Sequence, residues 1–393
     1  MTRRLCLLAL LCACLLAAQE RPYVVLVSLD GFRYDYADLH GAPNLKTLAK
    51  AGASAEMIPS FPSVTFPNHT TLVTGDYPNH HGIVANRFFD TARQQEYSTH
   101  DAPNEGSWLQ AKPLWVLAEE QHVKSATMFW PMSDAEIAGV RPSYWEQYNG
   151  RVPDEDRVAK VVGWLKLPER DRPHFLTLYF SDTDSAGHDF GPDAPETANA
   201  VHHVDTLIGT LWKQIQGLGL PVNLIVVADH GMQKVSGSVN LSDYTDLSRM
   251  KVVNGGPYAL LYAPDAAAAD RAYRELKGKN PKFDVYRRRE TPPELHYSDN
   301  DRIGDLVAVA RQPTLFAVAG ERPMKEEGAH GYDPRQFRTM HAIFYAAGPN
   351  IRAGVRLEPF ENIDVAPFIA KILGLRMPAG IDGSAKPLEP ALR

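Results

Sequence analysis

The stretch Tyr23-Val24-Val25-Leu26-Val27-Ser28-Leu29 runs directly into Asp30-Gly31, and it decides the fold class. A short, nearly continuous apolar run of this kind is typical of a strand buried on both faces, as in a parallel sheet covered by helices. Asp30 then stands at the carboxyl end of the strand. Ligands bind at that edge of open α/β sheets, so the carboxylate is a candidate site residue.

Similar segments follow along the chain and alternate with amphipathic ones. Residues Phe175–Phe180, 223–228 and 342–346 are predicted strands. Two helices are predicted over residues 44–51 and Val365–Leu373. A longer helix is predicted between the first two of these strands, where apolar residues recur at i, i+3, i+4 and i+7, at Val204, Leu207, Ile208, Leu211 and Ile215. The alternation predicts an α/β fold with a mostly parallel central sheet flanked by helices.

Residues 252–316 show a different order of elements. They contain three predicted strands, at Tyr258–Tyr262, Phe283–Arg287 and Leu306–Ala310, and a helix at Ala266–Leu276. We expect a small α+β insert here, forming a cap or an appended lobe on the main sheet. The remainder of residues 19–393 is expected to form a single catalytic domain.

The N-terminal residues have the composition of a secretory signal. Arg3 and Arg4 precede the apolar residues 5–16, and Ala17-Ala18 would suit cleavage before Gln19. The apolar stretch is too short for a membrane-spanning helix. We therefore expect a signal peptide over residues 1–18 and an exported protein, either periplasmic or secreted.

All three cysteines, Cys6, Cys12 and Cys14, lie inside this segment, so the processed chain would have neither disulfides nor thiolate ligands. A chain of 393 residues, 44% of them hydrophobic, can bury a core that is stable without disulfides. The alternative is a lipid anchor, because Leu11-Cys12-Ala13-Cys14 loosely resembles a lipoprotein cleavage box. Membrane association is expected only if Cys14 is lipidated. The formal net charge of -6 gives no indication of a nucleic-acid-binding surface.

Metal-liganding residue types stand in four short clusters, namely Asp30, Asp184 with His188, Asp229-His230, and His330. Asp229-His230 directly follows a predicted strand, as Asp30 does, and the i, i+4 spacing of the second pair places both side chains on one side of a helical turn. A single such pair is more often a cap or an ion pair. Together, three carboxylates and three imidazoles can fill two divalent metal sites, which indicates metal-assisted displacement at a phosphoryl or similar centre.

Thr65 lies between the first two clusters, in Pro62-Ser63-Val64-Thr65-Phe66-Pro67-Asn68-His69. Pro67 is well placed as an early helical residue, which puts Thr65 at a helix N-terminus, where N–H groups favour an anion. The simpler interpretation is an N-cap threonine. A metal nearby would instead lower the hydroxyl pKa and make Thr65 a nucleophile.

Taken in order, these segments resemble the nucleotide pyrophosphatase/phosphodiesterase family of the alkaline phosphatase superfamily. The resemblance runs from about residue 22 to the C-terminal helix. It is carried by Ser28-Leu29-Asp30-Gly31-Phe32-Arg33, the Thr65 segment, Thr74-Gly75-Asp76-Tyr77-Pro78, His81-Gly82-Ile83-Val84-Ala85-Asn86, Phe129-Trp130-Pro131, Asp184-Ser185-Ala186-Gly187-His188, Asp229-His230-Gly231-Met232 and His330-Gly331-Tyr332-Asp333.

The resemblance implies an alkaline phosphatase-like fold with two zinc ions. The first ion would be held by Asp30, Thr65, Asp229 and His230, and the second by Asp184, His188 and His330. Thr65 resembles the family nucleophile. Asn86, with the Thr65 backbone N–H, would hold a phosphoryl oxygen. Phe66 and Tyr148 match the positions that sandwich the base in nucleotide-cleaving members.

The implied activity is hydrolysis of a small nucleotide substrate to a nucleoside monophosphate, in two in-line steps through a threonyl intermediate. Choline or lysophospholipid phosphodiesters are an alternative, because aromatic side chains also suit those groups. A phosphomonoesterase is another, although no arginine stands beside Thr65 to clamp a dianion. A sulfatase would need a modified Cys or Ser that the processed chain lacks. An exported binding protein without turnover is disfavoured by the intact nucleophile and ligands.

Overall fold

In the computed structural model, residues 21–99, 105–317 and 326–393 are described. The expected signal peptide over residues 1–18, with its three cysteines, lies outside the described residues. Within the described ranges, none of the helices combines the length and the hydrophobicity that crossing a bilayer would require.

The strands include every one predicted from the sequence. In chain order they are β1 (Tyr23–Leu29), β2 (Ala53–Ile58), β3 (Arg87–Asp90), β4 (Gln95–Ser98), β5 (Ser125–Met128), β6 (Tyr144–Trp145), β7 (Phe175–Phe180), β8 (Val222–Val227), β9 (Gln233–Lys234), β10 (Ser238–Asn240), β11 (Lys251–Asn254), β12 (Tyr258–Tyr262), β13 (Phe283–Arg287), β14 (Leu306–Ala310), β15 (Leu315–Ala317), β16 (Gly328–Ala329), β17 (Ala342–Ala347), β18 (Val355–Arg356) and β19 (Phe360–Glu361).

The central sheet has the strand order β18-β2-β17-β8-β1-β7-β5-β6, and β19 also pairs with β2. β1 lies between β8 and β7 and is parallel to both. All seven residues of β1 are buried, as its apolar sequence predicts for a strand covered on both faces. The predicted fold class, a mostly parallel sheet flanked by helices, is confirmed.

β17 runs antiparallel to both of its neighbours, β8 and β2. The strand predicted over residues 342–346 is therefore present, but in a direction that its apolar run alone does not indicate. The physical reason lies in the connection. Ala342 pairs with Arg33, just beyond the carboxyl end of β1, so the chain enters β17 from that edge without a helical crossover. A parallel strand would need such a crossover.

The described residues include nine α-helices. They are α1 (Pro43–Ala51), α2 (Thr65–Thr74), α3 (Pro78–His81), α4 (Leu114–Glu120), α5 (Asp154–Leu165), α6 (Asp182–Phe190), α7 (Pro195–Gln216), α8 (Ala266–Leu276) and α9 (Val365–Leu373). α7 packs against α1, α5 and α6, whereas α9 packs against α2 and β1. The five apolar residues that predict α7 are all buried, and the helix ends just before Gly217 as expected.

A second, antiparallel sheet has the order β11-β12-β14-β13. It occupies the stretch in which the sequence predicts an insert, and it adds β11 to the predicted strands. One face forms a core with α8, in which Leu261, Leu276 and Val285 are buried. The other face packs Tyr258 and Leu260 into a core shared with Val64 and Ile83. This second sheet therefore supports the chain on both sides of α2, which begins at Thr65.

Candidate active site

Three carboxylates meet at the carboxyl edge of the central sheet. Asp30 follows β1 directly, and Asp229 stands two residues beyond β8, its parallel neighbour. α6 begins just after β7, on the other side of β1, and places Asp184 in its first turn. Parallel strands that are neighbours end at the same edge. Side chains about two hundred positions apart in the sequence are thereby brought together, as the strand-end placement predicts.

Gly31 permits the close approach of these segments. Its φ of +68° lies in the left-handed region, and a Cβ at this position would stand 2.8 Å from Cα of Asp184. The Gly31 N–H donates to Oδ1 of Asp229, at 3.1 Å. A side chain at residue 31 would push α6 away from the end of β1, so glycine here sets the spacing between the carboxylates.

One metal-type cluster, which corresponds to the second predicted ion, consists of Asp184, His188 and His330. Nε2 of His188 lies 3.0 Å from Nε2 of His330. Oδ1 of Asp184 lies 3.4 Å from His188 Nε2 and 3.5 Å from His330 Nε2. Each Nδ1 lies 3.0 Å from a backbone carbonyl, that of Gly328 for His188 and that of Ser63 for His330. Because a carbonyl only accepts, each Nδ1 donates, and both Nε2 atoms are directed to one point, as in metal-bound histidines.

The electrostatics of this cluster favour a positive charge at that point. Burial lowers the pKa of His330 to about 3, so its ring is neutral. Burial also acts to lower the pKa of His188, but Asp184 and Glu326 outweigh it and raise that pKa to about 11. Asp184 and Glu326 thus stabilise positive charge beside His188, and a divalent cation would supply such charge while leaving the imidazole as a ligand.

The other metal-type cluster, which corresponds to the first predicted ion, consists of Asp30, Thr65, Asp229 and His230. Nε2 of His230 lies 3.0 Å from Oδ2 of Asp229, 3.5 Å from Oδ1 of Asp30 and 3.4 Å from Oγ1 of Thr65. Its Nδ1 contacts the Gly231 carbonyl at 3.0 Å, so Nε2 again faces the cluster. The strand has ended before Asp229, which explains how two adjacent side chains can point to the same place, as the sequence requires.

Three buried carboxylate oxygens in these clusters have no hydrogen-bond donor among the described residues: Asp30 Oδ1, Asp184 Oδ1 and Asp229 Oδ2. Burial and the two neighbouring carboxylates raise the pKa of Asp30. A buried carboxylate oxygen without a hydrogen bond is costly, and bound cations would satisfy these three. The same three oxygens face the imidazole nitrogens described above, and the rings of His230 and His330 stack at 3.5 Å. The donor set therefore fits two adjacent divalent cations, and imidazole with carboxylate suits zinc.

Two side chains that support the clusters were not identified from the sequence. His69 stands one helical turn after Thr65, is fully buried, and places Nδ1 2.9 Å from the Thr65 carbonyl and 3.3 Å from Asp229 Oδ2. Tyr179 donates its hydroxyl to Asp30 Oδ2 at 2.6 Å. The i, i+4 spacing from Thr65 could have indicated His69. For Tyr179 the local sequence offered only a phenol hydroxyl near the end of the mostly apolar β7, which also contains Thr177.

Thr65 is the first residue of α2, and Val64 takes the N-cap position without a side-chain capping bond. The interpretation of Thr65 as a simple N-cap is therefore wrong. The first intrahelical bond runs from the Asn68 N–H to the Val64 carbonyl, so the N–H groups of Thr65 and Phe66 precede it. The Phe66 N–H donates to Oδ1 of Asn86 at 2.9 Å, which leaves the Nδ2 donors of Asn86 for another acceptor.

An aromatic cavity of about 380 Å³ reaches Phe66, the residue after Thr65. Its lining includes Phe66, Phe129, Trp130, Asp134, Tyr148 and Tyr179. Tyr148 is 51% exposed, so a face of its ring is accessible from solvent. A second cavity of about 250 Å³, on the side of Asn86, His188 and His330, opens toward the insert at Tyr258. Both predicted base-binding aromatics, Phe66 and Tyr148, thus line one cavity.

Comparisons with known proteins give consistent results. The family model described as type I phosphodiesterase / nucleotide pyrophosphatase matches residues 24–333. Ectonucleotide pyrophosphatase/phosphodiesterase family member 1 of Mus musculus is 38% identical over 386 residues, which cover 93% of this chain and 42% of that protein. An uncharacterised pyrophosphatase/phosphodiesterase of Schizosaccharomyces pombe is 34% identical over 90% of this chain and 77% of its own length.

Among solved structures, murine ectonucleotide pyrophosphatase/phosphodiesterase 5 superposes with a TM-score of 0.89 at 32% identity, covering 94% of this chain and 100% of that one. An inactive variant of the same murine protein in complex with AMP gives a TM-score of 0.89 over 95% of this chain. The chain spans only about two fifths of the length of the mammalian family-member-1 relatives it matches.

Proposed function

The chain belongs to the type I phosphodiesterase / nucleotide pyrophosphatase family, and from that membership we propose that it is an exported, zinc-dependent nucleotide pyrophosphatase/phosphodiesterase. It would hydrolyse a phosphodiester or pyrophosphate bond of a small nucleotide and release a nucleoside monophosphate. One observation carries the proposal: the Thr65 hydroxyl lies 3.4 Å from His230 Nε2 within a metal-type cluster, and the next residue, Phe66, lines the aromatic cavity.

The side chains of the site would act as metal ligands and as the nucleophile. Asp30, Thr65, Asp229 and His230 would hold one cation, and Asp184, His188 and His330 the other. When bound, two such cations supply Lewis-acid charge that lowers the hydroxyl pKa of Thr65 and offsets negative charge at the phosphoryl group. Thr65 Oγ1 forms a bond to phosphorus as the bond to the leaving oxygen breaks. Water then cleaves the threonyl ester, so net retention at phosphorus is expected.

In this proposal, Asn86 and the first turn of α2 bind a phosphoryl oxygen. With Oδ1 engaged by the Phe66 N–H, the Asn86 amide presents only donors to a bound substrate. The Thr65 N–H and the positive end of the helix dipole lie beside it. Fixed donors of this kind are most effective when charge develops on the oxygen they contact.

The aromatic cavity supports a nucleoside as the group retained on phosphorus. Phe66 and Tyr148 offer faces on which a base can stack, and the similar murine structure was solved with AMP. The second candidate is a choline phosphodiester. It is favoured by one observation, that Asp134 lies among the aromatic side chains of the same cavity, where it could face a quaternary ammonium.

A substrate panel tests the proposal. Purified protein with zinc at alkaline pH should release p-nitrophenol from the thymidine 5′-monophosphate ester faster than from p-nitrophenylphosphocholine or p-nitrophenyl phosphate. ATP should give AMP and pyrophosphate, and a chelator should abolish both reactions. Preferential cleavage of the choline ester would replace the nucleotide assignment with the second candidate. Turnover that survives complete metal removal would contradict the metal-dependent mechanism.

Export and domain organisation form part of the same proposal. Cleavage before Gln19 would release residues 19–393 as one catalytic domain with an α+β insert at residues 252–316. N-terminal sequencing of the protein recovered from the periplasm or the medium should begin at Gln19. Recovery in membranes, with a lipid on Cys14, would support the anchored alternative.

A further inference from the structure

Arg157 is a buried arginine beneath the aromatic cavity. It lies in the first turn of α5, the residue is 3% exposed, and it is not among the side chains that line the cavity. A buried guanidinium requires several acceptors, because each unpaired N–H is costly. The hydrogen-bond acceptors of Arg157 indicate its role.

Three backbone carbonyls receive hydrogen bonds from this one guanidinium. Nε donates to Val152 at 3.0 Å, one terminal nitrogen donates to Gly150 at 3.2 Å, and the other donates to Tyr179 at 3.1 Å. Val152 and Gly150 belong to the segment that follows Tyr148. Tyr179 lies near the end of β7, and its ring lines the cavity. The arginine therefore ties the Tyr148 segment to the central sheet.

The same side chain also packs against the cavity wall. Its guanidinium carbon lies 5.4 Å from the ring centroid of Phe129. Phe129 meets Tyr148 edge to face at 5.2 Å, and Tyr148 meets Tyr179 at 6.1 Å. Arg157 thus contacts Phe129, and it bonds to the backbone of Tyr179 and to the segment that carries Tyr148.

Among the described residues, Tyr148 has few anchors besides this support. β6 ends at Trp145, so the following residues have no strand pairing. The Tyr148 N–H bonds to the Asp134 carboxylate, and half of the side chain is exposed. The carbonyls just beyond it are held by Arg157. Without the two hydrogen bonds from Arg157 to Gly150 and Val152, Tyr148 would retain its bond to Asp134 and its ring contacts with Phe129 and Tyr179.

The charge of Arg157 is neutralised away from the cavity. Oδ1 of Asp154 lies 3.1 Å from the guanidinium, and Oδ2 of the same carboxylate lies 3.0 Å from Nε2 of His203 on α7. A guanidinium that is already paired and enclosed is not available to bind a phosphate. Its contribution is to geometry rather than to substrate charge.

We propose that Arg157 is a positioning residue that fixes Tyr148 and the aromatic cavity, and that it thereby sets the preference for substrates that carry a nucleoside. The proposal rests on the proposed nucleotide function for the identity of the ligand, but the ordering of the Tyr148 segment by Arg157 can be measured without any substrate.

The kinetic test compares two esters with the same leaving group. For Arg157→Met, KM for thymidine 5′-(p-nitrophenyl phosphate) should rise about tenfold, the scale of a weakened base–aromatic stack, with little change in kcat. kcat/KM for methyl p-nitrophenyl phosphate, which has no base, should stay within about twofold. Arg157→Lys should behave similarly, because one ammonium cannot reproduce the planar fork that spans three carbonyls.

Two binding and dynamics measurements accompany the kinetics. The Kd of AMP should rise about tenfold in Arg157→Met while that of inorganic phosphate stays constant. Amide hydrogen exchange should accelerate in peptides covering residues 146–153. The matched control is Arg170→Met, which removes an arginine whose side chain is 87% exposed and should change none of these values.

These measurements distinguish failure of the positioning role of Arg157 from failure of the proposed nucleotide function. Unchanged exchange in residues 146–153, or equal losses for the two esters, would overturn the positioning role of Arg157. Faster exchange in a protein whose wild type prefers neither nucleotide esters nor AMP would retain the positioning role and overturn the nucleotide assignment. If Arg157→Met does not fold, Arg157→Lys supplies the same comparisons.

Discussion

The hydroxyl of Tyr179 donates a 2.6 Å hydrogen bond to Oδ2 of Asp30, while Oδ1 of that carboxylate has no donor among the residues that the structure describes. The bond fixes the orientation of Asp30, so that its free oxygen faces His230 Nε2. Burial, and then the charge of Asp30, raise the pKa of the Tyr179 phenol, which therefore remains a donor. Because the ring of Tyr179 also lines the aromatic cavity, one side chain adjoins both parts of the site.

Tyr179→Phe should weaken metal binding by about 10- to 100-fold, the usual effect of losing a hydrogen bond that orients a ligand. Competition with a chelator of known affinity measures the change. Tyr36→Phe is the matched control, since Tyr36 is buried and its hydroxyl lacks a hydrogen-bond partner among the described residues. Equal metal affinity in wild type and Tyr179→Phe would show that the hydrogen bond does not orient the ligand.

The sequence predicted features that depend on neighbouring residues and missed those that depend on contacts between residues far apart in the chain. Asp30 at a strand end and the Asp184/His188 spacing are local patterns, so they could be interpreted from neighbouring residues. Tyr179 and Asp30 are 149 positions apart, and the partners of Arg157 are defined only once α5, β7 and the Tyr148 segment have packed. The direction of β17 was missed for the same reason, because it depends on where the preceding segment leaves the site.

Thr65→Ala should lower turnover of the nucleotide ester by at least ~10³-fold, as expected when a nucleophile is removed. Thr65→Ser retains the hydroxyl and should keep a measurable part of the activity. Both variants should bind metal, since Asp30, Asp229 and His230 remain, and elemental analysis of the purified protein checks this. Substantial turnover by Thr65→Ala would exclude the threonyl intermediate.

Asn86→Ala and Asn86→Asp together distinguish substrate binding from local structure. The aspartate can still accept from the Phe66 N–H, but it replaces the Nδ2 donors with a second, negatively charged oxygen. If Asn86 binds a phosphoryl oxygen, kcat/KM should fall about 10²- to 10³-fold in both variants, and Asp should be no better than Ala. Near-normal kcat/KM in Asn86→Asp would mean that Asn86 only anchors the Phe66 backbone.

Asp364 should make the protein less stable as the pH rises. The carboxyl is 7% exposed at the start of α9, and its Oδ1 accepts from the Ser384 N–H at 2.8 Å. Burial raises its pKa from 3.8 to about 6. Between those values the folded state holds more protons than the unfolded state, so the contribution of this group is full below pH 3.8 and is lost as the pH rises through about 6.

Asp364→Asn removes the charge but keeps an oxygen for the Ser384 N–H. Tm should therefore rise by about 2 °C at pH 8 and remain unchanged near pH 4. Titration of the metal-type clusters affects both proteins equally, so the difference between their Tm profiles isolates Asp364. Glu358→Gln, which neutralises an exposed acid nearby, should show no such pH-dependent gain. A constant Tm difference from pH 4 to pH 8 would mean that the substitution acts through packing and not through the buried charge.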